Sequence, residues 1–207
     1  DKHNMVDNVI FSPRANLRFN PTQNINLRLS YSSGFRAPQA FDEDMHIENV
    51  GGTVAMIERA KDLKEEKSQS FSVSADMYHR FGAFQTNLLI EGFYTRLTDV
   101  FVLGKPYDRG DGILVKTRSN GPGAKVMGLT LEGKVAYLSI LQIQAGLTLQ
   151  RSRYDEPHKW HDDAPAEKKI FRTPDTYGYF TATCTPIKPL SIALSGTYTG
   201  RMLVQRM

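Results

Sequence analysis

The sequence holds a single cysteine, Cys184, so no disulfide can form within the chain. It lies in a strand-like run, where a small buried or lipid-facing residue is its simplest role. No apolar run approaches twenty residues and the mean hydropathy is -0.40. That excludes a membrane-spanning helix, but not a membrane barrel, whose strands bury only alternate residues. No basic block appears: 26 Lys and Arg stand against 22 Asp and Glu, for a net charge of +4. A nucleic-acid partner is therefore not expected. No leader-like segment opens the chain, and Asp1 in place of an initiator methionine implies a processed or excised chain. Catalytic signatures are missing as well. There is no Gly-x-Ser-x-Gly elbow, phosphate loop, Cys-x-x-Cys or His-Glu-x-x-His, so the chain is not expected to be an enzyme and no cofactor is implied.

What the sequence does have is alternation. Ile25, Leu27, Leu29 and Tyr31 interleave with Asn26, Arg28, Ser30 and Ser32, which puts an oily and a wet face on one strand. Leu141, Ile143, Ala145, Leu147 and Leu149 do the same against Gln142, Gln144, Gly146, Thr148 and Gln150. The pattern recurs over Val9 to Phe19, Lys67 to Phe81, Phe84 to Thr98, Lys125 to Ala136, Thr176 to Thr185 and Leu190 to Thr199. Turn residues separate these runs in pairs at Asn20–Asn24, Gly82-Ala83, Leu138-Ser139 and Pro186–Pro189. Between the pairs lie long segments, 34–66, 99–123 and 153–171.

This order predicts an all-β protein of about eight up-and-down strands with short turns at one end and long loops at the other, the pattern of an outer-membrane barrel. Several runs reach the ten or so residues that a tilted spanning strand needs, longer than is usual in a soluble sandwich. Tyr31, Tyr94 and Tyr198 are expected in an aromatic girdle. The long loops should face outward and the turns inward to the periplasm. Val54–Glu66 is expected to be helical in part. Val100–Leu103 and Ile113–Val115 are good strand formers that could extend a hairpin as an apolar arm.

Four segments carry a resemblance: Tyr31-Ser-Ser-Gly-Phe-Arg-Ala-Pro38, Ala60-Lys-Asp-Leu-Lys-Glu-Glu-Lys-Ser68, Asn120-Gly-Pro-Gly-Ala-Lys-Val-Met-Gly128 with Leu129 to Glu132, and Arg172-Thr-Pro174 with a strand pair ending in Tyr198-Thr-Gly-Arg201. In this order they resemble the TonB-dependent outer-membrane receptors, over nearly the whole chain. The resemblance implies a barrel of about 22 strands around an N-terminal plug. It also implies TonB-driven uptake of a scarce ligand (iron-siderophore, haem or cobalamin class) across the outer membrane of a Gram-negative bacterium. The chain shows no plug-like region and no closing strand. The expectation is thus an antiparallel transmembrane β-barrel fragment, 1–207 forming a C-terminal segment of the barrel. Its partners would be a ligand such as a ferric chelate or corrinoid, outer-membrane lipid, and the TonB complex through the absent plug. A complete eight-stranded barrel with a structural or adhesive role is the alternative, and a barrel-embedded hydrolase a distant third.

The external loops are where ligand contacts are expected: Arg36, Phe41, Tyr107, Arg109 and Trp160. His158 and His161 sit among carboxylates and are weak metal candidates, since imidazole and carboxylate suit several metals. A solvated polar loop is the preferred reading there.

Overall fold

In a computed structural model, residues 10–37, 55–110, 114–158 and 166–204 are described. They form thirteen strands and, among them, no helix. Eight are long: β1 (Arg14–Thr22), β2 (Ile25–Arg36), β4 (Glu66–Phe81), β5 (Phe84–Thr98), β9 (Ala124–Tyr137), β10 (Leu141–His158), β12 (Thr176–Ile187) and β13 (Leu190–Thr199). They pair antiparallel in chain order, β1-β2-β4-β5-β9-β10-β12-β13, with β11 (Glu167–Lys169) added against β10. The sheet is open, since β1 and β13 are not neighbours in this order.

The register carries the alternation from strand to strand. One row runs Leu27, Ala75, Ile90, Leu131 and Leu147. The next position along every strand runs Arg28, Ser74, Glu91, Thr130 and Thr148. Side chains directly opposite share a face, so along the middle of the strands one side of the sheet is mainly apolar and the other mainly polar. The apolar side is left open: Val73 is 59% exposed and Leu194 63%. On the polar side Asn26, Ser74, Thr148 and Ser152 are buried. Soluble proteins do the reverse, and hydrocarbon is the environment that suits such a face.

The height of the apolar side fits this reading. On β4 it runs Phe71, Val73, Ala75, Met77, His79 and Phe81, ten residue steps, with the His79 ring against that of Phe81 at its inner end. At about 3.3 Å per residue and a tilt of about 40° that is roughly 25 Å, the thickness of an outer-membrane apolar band. Aromatic rings bound it. Tyr31 and Phe71 meet with ring centroids 4.8 Å apart at the outer limit, and Phe84 and Tyr137 at 4.7 Å at the inner limit. Tyr94, opposite Phe71, and Tyr198, opposite Gly178, belong to the same face. Cys184 lies there too, between Leu141 and Ile192, half-buried.

Glycines and aromatics pack as pairs on both faces. A Cβ on Gly146 would stand 2.5 Å from the Tyr179 ring, and one on Gly196 would run into the Phe180 ring. Each ring covers the bare backbone of its cross-strand partner, which supports strands that glycine would weaken. Gly128 is held more tightly, because its Cβ would meet the Leu149 carbonyl oxygen at 2.5 Å. The inner turns are short. Gly82, with φ 57°, supplies the positive angle that the two-residue connection of β4 and β5 needs.

The structure corrects four expectations. Val54–Glu66 is not helical where it is described: Ala55–Arg59 forms strand β3, because a partner strand satisfies its backbone groups. The first strand starts at Arg14 and runs through Pro21, which falls at a register shift where its missing N–H costs nothing. Strand β10 continues six residues beyond Ser152, since β9 and β11 offer it ladder partners. The apolar arm forms, but as a separate small sheet after Asp99, whose φ of 55° breaks the β5 ladder.

Candidate functional site

All three long connections lie at one end of the main sheet, which is the outer end by the loop rule. Part of two of them folds into a four-stranded sheet. There β8 (Leu114–Asn120) pairs parallel with β3 and antiparallel with β6 (Phe101–Leu103) and β7 (Tyr107–Asp108). Val115 is its centre, opposite both Met56 and Tyr107 and fully buried. Arg118 is buried as well, opposite Arg59 and Leu103.

The sheet is tied to the barrel wall by Asn120. Its side-chain carbonyl accepts from the Lys64 N–H at 2.7 Å. Its amide donates to the carbonyls of Lys64 at 3.0 Å and Asp99 at 2.8 Å. One side chain thus joins the approach to β4, the exit of β5 and the end of β8. The Glu66 carboxylate adds a hydrogen bond from the Phe101 N–H at 3.1 Å. Beside it the Glu65 carboxyl is held below the usual range, first by a backbone hydrogen bond and then by Lys67, 3.1 Å away.

The residues expected to bind ligand fall in three places. Tyr107 and Arg109 converge on Glu58 of β3: the Tyr107 hydroxyl donates toward one carboxylate oxygen at 3.5 Å, and the Arg109 guanidinium lies 3.6 Å from the other. Glu58 and Arg109 keep more than two fifths of their side chains exposed, so a bound molecule can reach both. Arg36 stands apart at the end of β2, its guanidinium 5.6 Å from the Phe101 ring centre, a cation stacked on an aromatic face. Phe41, Trp160 and His161 lie outside the described residues. His158 ends β10 with Glu167 as its register partner. No group of three His, Cys, Asp or Glu side chains able to hold a metal gathers among the described residues.

Glu58, Asn120 and Arg118 were not singled out as functional side chains in the sequence. Only Asn120 carried a local signal, as the start of Asn-Gly-Pro-Gly. The pairing of β3 with β8, which makes Glu58 a neighbour of Tyr107, is parallel and spans 56 to 115 in sequence. Periodicity within one strand holds no information on it.

Comparison with known proteins bears on the family and the fold. The family described as TonB dependent receptor-like, beta-barrel matches residues 2–202. No curated protein sequence matches. Among solved structures, the siderophore receptor PirA from Pseudomonas aeruginosa superposes with a TM-score of 0.62 at 17% identity, over 90% of this chain and 34% of that one. The FrpB iron transporter from Neisseria meningitidis (F3-3 variant) gives 0.60 at 17%, over 91% and 26%. The ferric-catecholate import receptor Fiu from K12 E. coli gives 0.60 at 15%, over 91% and 24%. The chain therefore spans a quarter to a third of the length of these structures. With the family model covering nearly every residue, and with the open antiparallel wall of alternating faces described above, the chain belongs to the TonB-dependent receptor-like β-barrel family.

Proposed function

We propose that this chain supplies part of the barrel wall and of the outer ligand-capture surface of a receptor in the outer membrane of a Gram-negative bacterium. The receptor would import a large, scarce ligand with energy delivered by the TonB complex. This chain would be a C-terminal part of the barrel, and the plug through which TonB acts would lie elsewhere in the protein. The observation that carries the reading is the folded outer sheet, which presents Glu58, Tyr107 and Arg109 together at the outer end of a wall with a lipid-facing and a lumen-facing side.

An iron chelate is the preferred ligand class, ahead of a corrinoid or haem. The strands of the outer sheet carry Arg59, Lys116 and Arg118 against Glu58 and Asp108, with Arg109 adjacent. The exposed Arg109 guanidinium beside Glu58 suits an oxygen-rich anionic ligand, and the superposed receptors named for iron and siderophores point the same way.

The test is uptake by the intact receptor in cells with and without TonB, supplied with a ferric chelate, haem or cobalamin. The reading predicts TonB-dependent uptake of a ferric chelate, and weaker capture in Arg109→Glu at an unchanged level of receptor in the outer membrane. Cobalamin or haem uptake alone would replace the iron assignment. Uptake of none of the three, or uptake indifferent to TonB, would overturn the transport reading.

A further inference from the structure

The cations just above the apolar band lie on its own, lipid-facing side. Arg96, Lys125, Arg153 and Lys169 form one cross-strand row over β5, β9, β10 and β11. The alternation puts this row on the side of Tyr94, Met127 and Arg151, one step outward. Like charges directly opposite one another in a sheet destabilise it, and among the described residues two carboxylates lie within ion-pair distance of this row. Asp155 lies 2.9 Å from the Lys125 ammonium and 3.4 Å from the Arg96 guanidinium. Asp175 lies 2.5 Å from the Lys169 ammonium and 3.9 Å from the Arg153 guanidinium. Arg151, in the row below, is exposed and adds a fifth cation. Among the described residues, then, this patch sets five cations beside two carboxylates.

A shallow groove opens directly beneath. Gly92 lacks a side chain in the middle of the row Leu29, Val73, Gly92, Leu129 and Leu149. The resulting hollow, about 740 Å³, is walled by Phe71, Val73, Tyr94, Met127 and Leu149 and rimmed by Arg151 and Asp175. Apolar walls below and guanidinium groups above match a lipid whose chain lies in the groove and whose head carries phosphate.

We propose that this patch is a binding site for a phosphorylated lipid of the outer leaflet, with Arg151, Arg153 and Lys125 on the phosphate and an acyl chain over Gly92. The assignment rests on reading the apolar face as lipid-facing. Arginine suits the role because its planar fork can make two hydrogen bonds to a phosphate.

The experiment is native mass spectrometry of the intact receptor in detergent, titrated with lipid A and with its dephosphorylated form. Variants are Arg151→Gln, which removes an exposed cation without an ion-pair partner among the described residues, and Gly92→Leu, which fills the groove. A Cβ at Gly92 meets nothing closer than the Val73 methyl at 3.7 Å, so this variant should fold. The site predicts a retained lipid A, roughly tenfold weaker retention in each variant, as for loss of one charge-assisted contact or of the chain's seat, and little retention of the dephosphorylated lipid. Ligand uptake should be unchanged in both variants, which separates this site from the transport reading. Equal retention by wild type and both variants, or retention indifferent to the phosphate, would overturn the proposal. Displacement of lipid A by millimolar inorganic phosphate would also overturn it, by showing a site for the free anion.

Discussion

Placing an arginine at Leu131 tests the two-faced wall most sharply. Leu131 sits four steps inward from Met127 and six outward from Tyr137, close to mid-height of the apolar band. An arginine facing lipid near the midplane of an outer-membrane barrel costs about 2–4 kcal/mol. Its neighbour Thr130 faces the other way, and its hydroxyl pairs with that of Thr148 at 3.0 Å. Thr130→Arg loses that neutral hydrogen bond, about 1 kcal/mol, and puts its charge into a wet lumen. Leu131→Arg should therefore be the worse variant by about 1–3 kcal/mol, some 5- to 150-fold in the folding equilibrium. Denaturant titration of the intact receptor in lipid vesicles, followed by the shift in gel mobility on unfolding, would measure both. Equal losses, or a larger loss at position 130, would refute the assignment of faces.

Three further outcomes follow from local geometry. Asn120→Ala removes three hydrogen bonds and should loosen the outer sheet by about 2–3 kcal/mol, at about 1 kcal/mol each; faster hydrogen exchange confined to 60–64 and 99–120 would show it, and uniform exchange would not. Gly128→Ala sets a methyl against the Leu149 carbonyl and should cost about 1–3 kcal/mol by strain in the β9–β10 ladder, read as a lower denaturant midpoint. The Asp155 carboxyl, outside the apolar band, is held below the usual range chiefly by its hydrogen bond from Lys125. Its folded pKa is thus lower than its unfolded value of about 3.9, so its stabilisation is present above that pH and lost as pH falls through the folded value. The gap in denaturant midpoint between wild type and Asp155→Asn should hold at neutral pH and close below about pH 4; a constant gap would contradict it.

The long strands were legible because each carries its own period of two, and because lipid demands that period from end to end. Leu141 to Leu149 and Phe71 to Met77 announce their faces without help from neighbours. The short turns were legible for the same local reason, Gly82-Ala83 above all. What escaped was set by partners distant in sequence. Val54–Glu66 has no strong period, and it becomes a strand where β8 offers a ladder. Arg153 and Asp155 looked like loop residues because charge is rare within a spanning strand, yet β10 climbs out of the apolar band and there charge is at home. Of the candidate site, Tyr107, Arg109 and Arg36 were legible as outer-end polar and aromatic residues. Glu58, on which the first two converge, was not, since its position depends on the parallel pairing of β3 and β8.

A wall with lipid on one side and water on the other is probed directly by spin labels placed singly at 129 through 136 on β9 in the intact receptor, with Cys184 replaced by serine. Collision with oxygen, which partitions into lipid, should peak at 129, 131, 133 and 135. Collision with a water-soluble nickel chelate should peak at 130, 132, 134 and 136. Two profiles of period two, out of phase with each other, are the predicted result. Profiles without alternation, or with the two phases exchanged, would contradict the account.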